Sequence, residues 1–120
     1  MLVLKSEPPP TQGRRVLFFR EVRNVAALRV VSLSGDLDTY TLASTRQLLS
    51  RVEGPCVIDL TDVRIIDAAT LGEIVRLKKR IAPQRVVLAG ANRHVRRVLA
   101  VLQFERMFEI VERPEDATAS

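Results

Sequence analysis

Residues 56–72 read Cys56-Val57-Ile58-Asp59-Leu60-Thr61-Asp62-Val63-Arg64-Ile65-Ile66-Asp67-Ala68-Ala69-Thr70-Leu71-Gly72. The first five are short, β-branched and apolar on both parities up to Asp59, as a strand buried on both faces of a parallel sheet must be. Thr61 to Asp67 then lead towards a helix. Leu71, Ile74, Leu77 or Lys78, and Ile81 mark its buried stripe at helical spacing, with Val75 beside it. Pro83 ends the segment.

Working outward, the same alternation repeats. Upstream, the apolar run Val16 to Phe19, with Val22 after it, predicts a first strand. A turn at Arg23-Asn24 leads to a second strand over Ala27 to Ser34. The short connection makes the two antiparallel. Gly35-Asp36-Leu37-Asp38 closes the second strand, and Asp38 or Thr39 caps a helix whose face is Leu42, Thr45, Leu49 and Val52. Glu53-Gly54-Pro55 stops it. Downstream, Arg85 to Gly90 form a fourth strand. Asn92 caps a third helix with Val95, Val98, Leu99 and Leu102 inward, and Phe108 to Val111 form a fifth strand. The order β-β-α-β-α-β-α-β predicts an α/β fold, a mixed β-sheet of four to five strands with helices packed mainly on one face. Met1 to Gly13, with Pro8-Pro9-Pro10, reads as a flexible leader; 14–117 forms one domain and 118–120 a flexible end.

Composition narrows the function. At 120 residues the chain fits one domain. Trp is absent and only 4% of residues are aromatic, so a base-stacking surface is poorly supplied. No apolar run is long enough to span a membrane. The start of the chain lacks a basic region followed by a long apolar stretch, so no secretory signal is expected. A single Cys, Cys56, forms no internal disulfide and reads as a small core residue; a reducing, cytoplasmic setting follows. The net charge is +5, and Gly72 to Arg97 alone carries eight cations against Glu73. Arg76, Lys78, Lys79, Arg80, Arg93, Arg96 and Arg97 form the core of this basic patch. They read either as solvated helix faces or as a field that steers an acidic protein, with nucleic acid or lipid the weakest reading.

The acids have two readings each. Asp36 and Asp38 either contact a partner's cations or close the turn and cap the helix. Asp67 is either a docking residue or a helix cap, and one carboxylate can serve both. Asp59, after a buried run, is placed to hydrogen-bond neighbouring loops. Asp36, Asp38, Asp59 and Asp67 lie near strand ends without a His among them, so no metal is expected. His94, the only histidine, reads as a surface residue in the first turn of the third helix. No nucleophilic triad, phosphate-binding glycine loop or zinc spacing is present, so no catalysis and no cofactor are expected.

Several of these stretches resemble one family. Gly35-Asp36-Leu37-Asp38 looks like the Gly-Glu-Leu-Asp turn of STAS domains, which occur in bacterial anti-sigma factor antagonists and at the cytoplasmic ends of sulfate transporters. Val57 to Val63 resembles their central strand. Ile66-Asp67-Ala68-Ala69-Thr70-Leu71-Gly72 stands where the family has Asp-Ser-Ser-Gly-Leu-Gly. Leu88 to Ala91, Val95 to Leu99 and Leu102 to Phe108 resemble its last strand-helix-strand unit. The likeness runs from Val16 to Ala117 and implies the fold already predicted. It also implies a switch: in antagonists the second Ser is phosphorylated by an anti-sigma factor kinase, and the unphosphorylated form binds that kinase.

This chain departs at the switch. The phosphorylated position falls on Ala69 and the preceding Ser on Ala68, neither of which has a hydroxyl. Thr70 stands in place of the Gly, and one helical residue turns a side chain by about 100 degrees. Thr70 is thus a weak phosphoacceptor candidate, and a local hydrogen bond is its favoured role. The resemblance implies a non-enzymatic interaction domain that binds an anti-sigma factor, a kinase-like regulator or another STAS domain, with homodimers open. The expected partner-binding set is Asp36, Asp38, Asp67, Ala68, Ala69, Thr70 and Gly72. The alternatives are a scaffold or accessory subunit of a multi-protein signalling or lipid-transport assembly, and a weak nucleic-acid binder.

Overall fold

The computed structural model describes residues 22–25 and 28–117. Its elements run β1 (Val22–Val25), β2 (Leu28–Leu37), α1 (Leu42–Leu49), β3 (Cys56–Ile66), α2 (Ala68–Ile81), β4 (Val86–Ala89), α3 (Arg93–Val101) and β5 (Glu109–Val111), with 3-10 turns at Phe104–Arg106 and Pro114–Asp116. From β2 onward the element order is the one the spacing predicts. The five strands form a single sheet in chain order; β1 pairs antiparallel with β2, and every other pair is parallel. The expected strand at 16–19, the leader over 1–13 and the end over 118–120 lie outside the described residues.

The middle strands are apolar on both parities because the sheet has two buried faces. Cys56, Ile58 and Leu60 of β3 join Val31 and Leu33 of β2 and Val86 and Leu88 of β4 on one face. Leu49 of α1, Leu71, Ile74, Leu77 and Ile81 of α2, and Val95 and Leu99 of α3 pack against them, with Phe104 and Phe108. Val57 points the other way, into a smaller cluster with Leu28, Val30, Val87, Ala89 and Ala117. All three helices contribute to the first cluster and none to the second, so the helices cover one face, as expected.

Four local expectations are corrected. Arg23 and Asn24 are not a turn: they lie inside β1, opposite Val30 and Arg29. β2 does not end before Gly35; Gly35 to Leu37 continue it, opposite Val63, Ile65 and Ile66. The segment after Leu60 is not a lead-in to a helix but the second half of β3. The reason is a pair of bulges. Ser32 and Ser34 face Asp59 and Asp62, and Gly35 and Asp36 face Val63 and Ile65, so β3 twice advances one residue more than β2. Each bulge shifts the parity, and the buried residues Leu60, Val63 and Ile66 fall three apart, which hides a strand from a period-two reading. Lastly, Leu102 leaves the helical stripe; it caps the C-terminus of α3 and is 42% exposed.

Two glycines are required by the geometry. Gly35 lies at φ +90°, beside the second bulge, where L side chains are strained. Gly90, at φ +80°, ends β4 so close to β3 that an added Cβ would sit 2.2 Å from Thr61 Oγ1 and 3.0 Å from Asp59 Oδ1.

Candidate functional site

The start of α2 is built from the ends of β2 and β3. Asp67 is the N-cap: its carboxylate accepts the Thr70 backbone N–H at 2.8 Å, and its own N–H donates to Leu37 O at 2.9 Å. The first bond satisfies an orphan donor of the helix. The second sets the loop after β2 beside the first turn of α2. Asp67 therefore fills the cap, one of the two roles its position leaves open, and it remains half-exposed.

The neighbouring loop is closed by its own side chains. Asp38 Oδ1 accepts the Tyr40 N–H at 2.9 Å, and Thr41 Oγ1 donates to Asp36 O at 2.8 Å and accepts the Asp38 N–H at 3.0 Å. The expected cap of α1 by Asp38 or Thr39 is thus not formed. Thr41 holds that position, and no side chain caps the helix, because the Thr41 hydroxyl turns back into the loop.

The expected partner-binding residues divide by burial. Ala68, Ala69 and Gly72 are exposed on one face of α2 at i, i+1 and i+4, and a Cβ on Gly72 would meet nothing within 4 Å. Asp38 and Asp67 flank them, half-exposed. Asp36 is only 6% exposed, and Arg64 grips it through Nε at 2.8 Å and Nη2 at 2.7 Å. That hydrogen bond and charge hold the Arg64 guanidinium above its ordinary pKa. Thr70 is fully buried beneath the exposed face. Its hydroxyl does not make the expected local hydrogen bond; Thr70 Oγ1 and Ser34 Oγ are both buried with no partner among the described residues.

Sequence reasoning passed over three features. Tyr40, the single Tyr of the chain, is 81% exposed in the loop beside α2. A lone aromatic between Asp38 and a helix start was the available signal. Arg64 is the partner of Asp36, 28 residues apart, and no local pattern announces it. Glu73 is 9% exposed and held by Arg46 of α1 at 3.0 Å, an i+27 contact equally silent in sequence.

The remaining candidates are structural. Asp59 accepts both the N–H and the hydroxyl of Thr61 two residues on. Asn92 Oδ1 caps α3 by accepting the Val95 N–H at 2.8 Å, while its amide donates to Val63 O and Arg64 O at 3.0 and 3.1 Å. Cys56 is fully buried, and desolvation pushes its thiol from 9.0 up to about 11. His94 is exposed on α3. Among the described residues, no group of three or more His, Cys, Asp or Glu could hold a metal ion, and no helix is long and apolar enough to cross a membrane.

The basic residues serve different neighbours. Lys78 lies over the Phe108 ring at 5.5 Å. Arg80 donates to Leu49 O at 2.8 Å, and Arg85 pairs with Glu109 of β5. Arg76, Lys79, Arg93, Arg96 and Arg97 are exposed.

The family described as "Mlab, STAS domain" matches residues 21–112. No curated protein matches significantly. A Thermotoga maritima protein assigned as a candidate anti-sigma factor antagonist is 26% identical, with a TM-score of 0.61 over 69% of this chain and 79% of its own. An anti-sigma factor antagonist from Mycobacterium paratuberculosis shares the fold at 18% identity, with a TM-score of 0.75 over 88% of this chain and 92% of its own. The sheet order, the helices on one face and a family match over most of the described residues agree: the chain belongs to the STAS domain family and is homologous to its anti-sigma factor antagonists.

Proposed function

We propose that this chain is a non-enzymatic protein-interaction domain that binds an anti-sigma factor or a kinase-like regulator through the start of α2. The observation that carries this reading is the exposed face of Ala68, Ala69 and Gly72, flanked by Asp38 and Asp67. Side chains no larger than a methyl let a partner's backbone or helix approach closely. Glycine inside a helix costs about 0.5–1 kcal/mol relative to Ala. At Gly72 nothing in the fold excludes a Cβ, so that cost is not imposed by packing within the chain.

The contact is not gated by phosphate at position 69. Phosphorylation would add roughly −1.5 to −2 charges there and needs a hydroxyl acceptor, which Ala69 lacks. Thr70, the adjacent hydroxyl, is buried away from a kinase. The set Asp38, Asp67, Ala68, Ala69 and Gly72 makes the contact, while Asp36 and Thr70 are buried.

Affinity capture of the tagged protein at near-physiological salt tests this reading. A kinase-like or sigma-binding protein recovered near equal stoichiometry, and lost with Ala69→Glu or Gly72→Leu, supports it. Capture unchanged in both variants overturns the assignment of the face. A second reading is favoured by the same missing hydroxyl: a permanent contact suits an accessory subunit of a multi-protein signalling or lipid-transport assembly. Recovery of only membrane-transport or scaffold subunits would select it.

A further inference from the structure

Away from the start of α2, a groove of about 360 Å³ runs between α1 and α2. Leu49 and Leu77 are buried in its floor, and Arg46, Arg76, Lys79 and Arg80 stand around it with Ser50. Four cations face a single carboxylate, Glu73. Like charges this close repel, so their grouping requires a device that holds them.

Glu73 is that device. Its side chain is 10% exposed, and its carboxylate lies 3.0 Å from Arg46 Nη2 and 4.0 Å from Arg76 Nε. Arg80 is held separately by Leu49 O at the C-terminal end of α1. Each guanidinium carries five donors in a rigid fork. These anchors use one donor apiece on Arg46 and Arg80, and the Arg46 and Arg76 side chains are still 59% and 80% exposed. Lys79 has no partner among the described residues and is exposed at the rim. The result is a pre-ordered excess of positive charge over an apolar floor.

We propose that the α1–α2 groove is a second binding surface, and that its occupant is an acidic, amphipathic segment of a partner protein. Carboxylates match the guanidinium forks, and aliphatic side chains match Leu49 and Leu77. A nucleic acid fits less well, because no aromatic side chain lines the groove to stack a base. This surface adjoins the contact at the start of α2, Gly72 and Glu73 being neighbours on the helix, and its binding does not depend on that contact.

The probe is a fluorescent peptide of about twelve residues with Leu at helical spacing and Glu elsewhere, set against the same peptide with Gln for every Glu. The Glu peptide is expected to bind and to weaken as salt rises, since exposed charges are screened beyond about 10 Å at 0.1 M. The double variant Arg76→Gln, Lys79→Gln removes two exposed charges while Arg46 still holds Glu73 at 3.0 Å, and is expected to weaken binding about fivefold or more. Arg93→Gln with Arg96→Gln on α3 is expected to leave it unchanged. Equal binding of the Gln peptide, no effect of the groove variant, or an equal loss from the α3 variant overturns the proposal. So does groove-dependent binding confined to duplex DNA or to vesicles containing phosphatidylglycerol. Failure of Ala69→Glu to disturb partner capture would count against the α2 contact alone.

Discussion

The backbone N–H of Asp67 donates to the carbonyl of Leu37 at 2.9 Å, joining the end of β2 to the start of α2. The same residue caps the helix through its carboxylate. One residue therefore positions both the loop that carries Tyr40 and the face that carries Ala69.

Asp67→Ala removes the cap and keeps the backbone bond to Leu37. The expected loss is about 1 kcal/mol, read as a lower urea midpoint with an unchanged slope. A core truncation such as Leu→Ala costs about 2–5 kcal/mol, so the capless variant stays folded and can be assayed for partner capture. Asp67→Asn, which keeps an acceptor, should recover most of the loss. No recovery would mean that the charge and not the hydrogen bond is the stabilising element.

Thr70→Val is expected to be neutral or stabilising. A buried hydroxyl without a partner carries its desolvation cost of about 1–3 kcal/mol, and Val replaces it with a methyl of similar shape. Thermal or chemical denaturation measures this. A loss above about 1 kcal/mol would show that the Thr70 hydroxyl does find a partner in solution.

Asn92→Ala should cost more than Asp67→Ala, by about 1 kcal/mol. Both substitutions remove a cap, but Asn92 also ties α3 to β3 through the carbonyls of Val63 and Arg64. Hydrogen exchange should report the difference locally, with faster exchange in the second half of β3. Equal costs for the two variants would mean that the amide contacts to β3 add nothing.

The buried thiol of Cys56 sets a pH signature. Its pKa is raised from 9.0 to about 11 by desolvation, so the protonated form is favoured by folding. The corresponding stability is fully present below pH 9.0 and is lost as the pH rises through about 11. The difference in unfolding free energy between the native chain and Cys56→Ala should shrink over that window and be level below it. A thiol reagent at neutral pH should react only as fast as the domain opens. Rapid labelling under native conditions would contradict the burial.

Gly72→Ala offers the opposite trade. The helix should gain about 0.5–1 kcal/mol, because the added Cβ enters open space. Partner capture should fall if close approach at this face matters. A stabilised variant with undiminished capture would place the contact elsewhere.

The element order, the parallel core strand and the caps Asp67 and Asn92 were legible because each rests on local chemistry. A cap and its target lie three residues apart, and an amphipathic stripe repeats every three or four. The Ala-Ala-Thr stretch and its family likeness were legible for the same reason. The tertiary structure decided the rest. The length of β3 depends on two bulges against β2, and a bulge is a property of a pair of strands, not of either sequence. The burial of Asp36 and Thr70, the grip of Arg64 on Asp36, and the grouping of Arg46 with Glu73 all join residues far apart in the chain or covered by other elements. Local propensity sees a charge or a hydroxyl. Only packing determines whether that group meets water, a partner or the core, because its free energy is set by the neighbours that the fold brings to it.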